Sequence, residues 1–158
     1  MSLVHLHLLL NHVPVVGTLI ALLLFATALL LRETVSTKFA LAFTAGLAVV
    51  AVAVYFTGGP AEDAVEKLAG VTERSIERHE EAAELATIAI GALGALCLIA
   101  LAVFRAKRPP RWVALAGLLG TIAVSALMGW TANLGGQIRH TEIQGASNQQ
   151  PLDHESGD

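Results

Sequence analysis

Apolar positions in this chain are not spread in stripes but gathered into four blocks, at 8–31, 39–56, 85–104 and 112–134, almost free of charge. A hydrocarbon core of about 30 Å needs roughly 20 helical residues to cross it, and each block is close to that length. A helix apolar on every side has no water-facing surface, and four of them in so small a protein do not fit a soluble domain. The pattern therefore predicts an all-α membrane protein: a four-transmembrane-helix up-down bundle, with spans near 8–31, 39–56, 82–104 and 112–134.

Polar punctuation sets the ends. Pro14 removes one backbone donor and would clash with the carbonyl of Leu10, so the first helix either kinks there or starts there. A short link over 32–38 reverses the chain. Gly58-Gly59-Pro60 stops the second span. Pro60, Glu62, Asp63 and Gly70 then suit the start and end of a short extracytoplasmic helix over 60–69. Thr72 is placed to cap a further helix that runs without a breaker through His79 into the third span. Arg105, Lys107, Arg108 and Arg111 make a basic turn before the fourth span, which Trp112 opens as an interface anchor. From residue 145 the chain turns polar, and a disordered tail is expected.

Composition and charge refine this picture. Charged residues make up 15% of the 158 residues and the formal net charge is −3, which gives no reason to expect a nucleic-acid partner. No Lys or Arg precedes Arg32, so the first block lacks the basic start of a cleaved signal peptide. One cysteine, Cys97, excludes an intrachain disulfide. The two turns on one side hold Arg32, Lys38, Arg105, Lys107, Arg108 and Arg111, against Lys67, Arg74, Arg78 and Arg139 spread over longer segments of the other. The bias places the first side in the cytoplasm and both termini outside.

The candidate chemistry is histidine. His5, His7, His12, His79 and His140 all fall at the ends of spans that share the outer side, while His154 belongs to the polar tail. Imidazole near a membrane span is costly enough to suggest a role. Neutral imidazole is a good axial ligand for haem iron, and facing helices of a bundle can present one from each side. Below His79 the same face continues through Ala83, Ala86, Ile90, Gly94 and Cys97. These small residues leave room for a macrocycle or, equally, let two spans pack closely. Arg78-His79-Glu80-Glu81 and Arg139-His140-Thr141-Glu142 share an Arg-His-x-Glu pattern. An arginine there suits a haem propionate, and a carboxylate can orient the ring. Asn133 and Gln137 fall on the stripe of His140 if the helix persists past Gly135-Gly136. Copper is the competing metal, since imidazole also suits it. However, a helix sets His5 and His7 about 200° apart.

His7-Leu8-Leu9-Leu10-Asn11-His12-Val13-Pro14 resembles the His-x4-His-x-Pro opening of a family of small bacterial four-span membrane proteins of uncharacterised function, regarded as haem binders. The stretches 76–81 and 135–140 are similar to that family's other two histidine motifs, so the resemblance covers roughly 5–142. Carried over, it implies His7, His12, His79 and His140 as metal ligands and leaves His5 outside. Four ligands suffice for two bis-histidine b-type haems, or for one with two histidines in other roles. Thr141 stands where the family often has glycine. The expectation is a membrane-bound b-type cytochrome of the bacterial inner membrane, an electron carrier rather than an enzyme. It would pass electrons from the quinol pool to an extracytoplasmic acceptor, alone, as a homo-oligomer or in a larger complex. The alternative is a structural or accessory subunit, or a copper-binding protein, with interfacial histidines.

Overall fold

A computed structural model of the chain describes residues 3–60 and 71–139. The short helix expected over 60–69, His140, His154 and the polar tail lie outside the described residues, apart from Pro60. All regular structure among the described residues is helical: α1 (Leu3–Leu10), α2 (His12–Leu31), α3 (Thr34–Phe56), α4 (Glu73–Val103) and α5 (Arg111–Arg139).

Pro14 acts where its chemistry demands. The break between α1 and α2 falls at Asn11, directly after Leu10, whose carbonyl would have received the missing proline donor. At the other end of α2, Arg32 takes a left-handed conformation (φ 56°) and its N–H closes onto the Ala28 carbonyl. Glu33 is then the extended residue before α3. The reversal therefore needs two residues rather than seven, because Thr34 to Lys38 are already helical. Helix α4 starts after an extended Thr72 and is unbroken past His79, as expected. Helix α5 persists through Gly135-Gly136 to Arg139.

Among the described residues, four helical stretches of 27, 27, 31 and 28 residues are long and apolar enough to cross a membrane. Their length and composition are those of a multi-pass membrane protein. In cross-section they form a ring in which α2 packs on α3, α3 on α4, α4 on α5 and α5 back on α2. Large apolar side chains cover the outside: Leu23, Leu30, Val49, Ile88, Leu96 and Leu119 are all exposed, as lipid contact requires.

The inside is built from small residues fitted against larger ones. A Cβ added at Gly117 would collide with the Phe25 ring, one at Gly17 with a Leu47 methyl, and one at Gly94 with the Ala48 Cβ. The face of α4 carrying Ala86, Ile90, Gly94 and Cys97 is buried, with Ala86 and Ile90 clustered beside Ala48 and Ala51, and Cys97 beside Ala45. That stripe is filled by helix contact, so the close-packing reading of it holds. Four buried threonines donate to carbonyls of their own helix turns: Thr18 to Val15, Thr37 to Glu33, Thr44 to Ala40 and Thr121 to Gly117, at 2.7–3.0 Å.

Candidate functional site: two imidazoles at one end of the bundle

His79 sits on the second turn of α4, just before the apolar run, with Ile76 and Ala82 buried on either side of it in sequence. Its Nδ1 lies 3.1 Å from the Thr131 carbonyl of α5. A carbonyl only accepts, so Nδ1 carries the hydrogen and donates it. In a neutral ring Nε2 is then the atom with the free lone pair. The ring fits against bare backbone: a Cβ added at Gly135 would come within 2.9 Å of His79 Cε1. Thr131 also ties the two helices directly, its hydroxyl lying 3.1 Å from the Ala82 carbonyl and 3.0 Å from that of Leu127.

His7 repeats this arrangement on α1. Its Nδ1 is 3.0 Å from Thr57 Oγ1 and 3.3 Å from the Val54 carbonyl, at the end of α3. The Thr57 hydroxyl donates its own hydrogen to Val54 at 2.6 Å. The threonine oxygen is therefore an acceptor toward the ring, and His7 too holds its hydrogen on Nδ1. Gly58 lies beneath the ring, with a notional Cβ 3.7 Å from Cε1. His7 and His79 lie within electrostatic reach of each other. Two half-buried imidazoles from different helices thus share one end of the ring, each locked in the same tautomer by an acceptor on a third or fourth helix. Metal-bound histidines are held this way, with the distal N–H spent on a carbonyl or carboxylate.

The remaining candidates divide. His12 is exposed and lines a shallow apolar groove of ≈ 630 Å³ between α2 and α3, with Val16, Ile20, Phe43 and Leu47. It is not brought to the Thr57 contact that holds His7. His5 is exposed. Arg78 is exposed beside His79, and it makes no hydrogen bond or ion pair among the described residues. The Gln137 amide donates to Asn133 Oδ1 at 2.6 Å, one turn apart on α5; Asn133 is exposed and Gln137 half-buried. Arg139 ends α5. His140 follows it, outside the described residues.

Thr57, Thr131, Gly58 and Gly135 are the residues that sequence reasoning did not single out. Thr57 directly precedes one glycine pair and Thr131 sits one turn before the other, but an oxygen that orients a ring leaves no mark in a sequence. Among the described residues no group of three or more His, Cys, Asp or Glu is placed to hold a metal ion. Fold and site together give four helices long and apolar enough to cross a membrane, with a pair of oriented histidines at one end. No known family model, curated protein or solved structure matches the chain.

Proposed function

We propose that this protein is a membrane-bound b-type cytochrome, an up-down bundle in which His7 and His79 give their Nε2 atoms to haem iron near the outer face. The observation that carries the reading is the shared tautomer. Both rings have the Nδ1 hydrogen committed to backbone or hydroxyl oxygen, which leaves Nε2 as the atom that would hold iron. Two ligands suffice for a bis-histidine haem, so a cluster of three is not required.

Bound haem would supply a one-electron iron couple. The chain's own residues hold and orient the ligands, and their small neighbours Gly58 and Gly135 let the rings lie against backbone. Because the stripe from Ala86 to Cys97 is closed by packing, haem would be held by residues nearer the helix ends. There Arg78 offers an exposed guanidinium for a propionate. His140 directly follows the helix whose Thr131 and Gly135 fix His79, and it remains the candidate for an additional ligand, with Arg139, Asn133 and Gln137 near it in sequence. The Lys and Arg bias supports an outer location of this end and of both termini in a bacterial inner membrane. Electrons would then pass from the quinol pool to an extracytoplasmic acceptor.

The test is an optical spectrum of the purified protein with haem quantitation. Reduced-minus-oxidised b-type bands are expected, and they should be lost in His7→Ala and His79→Ala but kept in His5→Ala. A colourless preparation containing stoichiometric copper, or full haem retention in both of the first two variants, overturns the reading.

A further inference from the structure

At the end of the bundle away from the histidines, the fold gathers six cations from two turns distant in sequence: Arg32, Lys38, Arg105, Lys107, Arg108 and Arg111. Two cross-ties hold the turns side by side. The Arg108 guanidinium donates to the Arg32 carbonyl, and Lys38 Nζ donates to the Arg105 carbonyl at 2.8 Å. Among the described residues none of the six makes an ion pair. Glu33, the one acid in these turns, accepts from Ser36. Sidedness in a bilayer accounts for cations in these turns. It does not require them to be drawn together, and like charges held this close repel unless an anion joins them.

The turns also enclose a small cleft where the end of α2 meets the starts of α3 and α5. Arg32, Arg108 and Arg111 line it, with Glu33, Thr37 and the buried Pro109. Trp112, 64% exposed and set edge-on against Phe104 at 6.5 Å, marks the headgroup level. A phosphate bound among the arginines would therefore lie at the level of lipid headgroups.

We infer that this arginine cluster binds the headgroup of an anionic phospholipid, whose phosphate is held by Arg32, Arg108 and Arg111 at the mouth of the cleft. Forked guanidinium groups suit a phosphate oxygen pair, and basic pockets at helix ends take such headgroups. A free phosphate would use the same cations but would not be held at the membrane surface by acyl chains.

The full chain in a zwitterionic detergent is heated with phosphatidylglycerol, phosphatidylcholine or inorganic phosphate. Phosphatidylglycerol should raise the unfolding midpoint by about 4 °C or more, as ligand binding to the folded state does. The other two should leave it unchanged. The Arg108→Gln/Arg111→Gln double variant should lose the shift, whereas Arg74→Gln, at the opposite end, should keep it. Native mass spectrometry of the unmodified protein from an equimolar mixture of the two lipids should show phosphatidylglycerol adducts in excess, a readout that does not depend on the variants folding. Equal adducts, an equal shift with phosphatidylcholine or inorganic phosphate, or an undiminished shift in the double variant would overturn the site.

Discussion

Thr131 holds His79 with one atom and the helix that carries it with another. Its carbonyl accepts from the imidazole, while its hydroxyl lies 3.1 Å from the Ala82 carbonyl, three residues further along the same helix. Position and ring orientation of His79 are thus fixed from a single residue of α5. The two functions can be separated. Thr131→Val keeps the carbonyl and removes the hydroxyl. It should cost about 1 kcal/mol of stability, the usual worth of a bond between helices in lipid, and leave haem stoichiometry unchanged. Thermal unfolding beside a haem-to-protein ratio reads both effects.

Gly135→Ala should do the converse. The new methyl would stand 2.9 Å from His79 Cε1 and 3.2 Å from Nδ1, so the ring must leave its place over the backbone. Helix propensity favours alanine by up to about 1 kcal/mol, so the fold should persist. Haem content should fall several-fold, and Gly136→Ala, which meets nothing, should not change it.

The interior makes an equally sharp contrast. Gly117→Ala would press on Phe25, which is fully buried, whereas Gly46→Ala meets nothing within 4 Å. Overpacking of this kind costs about 1–3 kcal/mol. A lowered unfolding midpoint is expected for the first substitution alone, and equal midpoints would mean that α2 and α5 are not in this contact.

His12→Ala is expected to leave the haem spectrum intact, since that side chain lines the groove between α2 and α3 and not the Thr57 contact. Loss of the spectrum in this variant would restore His12 to the ligand set.

Much of this architecture is legible in the residue order, and the limits have physical causes. Four apolar blocks announce four helices because lipid leaves no other way to satisfy the backbone. Pro14 announces a kink or a helix start near itself, and the break is found three residues before it, at Asn11. Hydropathy marks where lipid begins rather than where a helix does, so Thr34 to Lys38 read as a link although they are helical. The stripe from Ala86 to Cys97 was open to two readings because small side chains serve both close packing and a cofactor. Only the partner surface of Ala45, Ala48 and Ala51 decides between them. The divergence of His7 and His12 did have a signal: five residues on a helix turn the direction by about 140°. What no pattern carried was the pair of acceptors, Thr57 and Thr131, since their contribution is an oxygen brought close by the meeting of distant helices.

The inward-turned hydroxyls of Thr18, Thr44 and Thr121 bear on what joins the helices. Each spends its hydrogen on the preceding turn of its own helix, so none of these three bonds ties one helix to another. The middle of the bundle is then held by shape, with glycine and alanine seated against larger side chains, and a change of volume there should be felt more than a change of polarity.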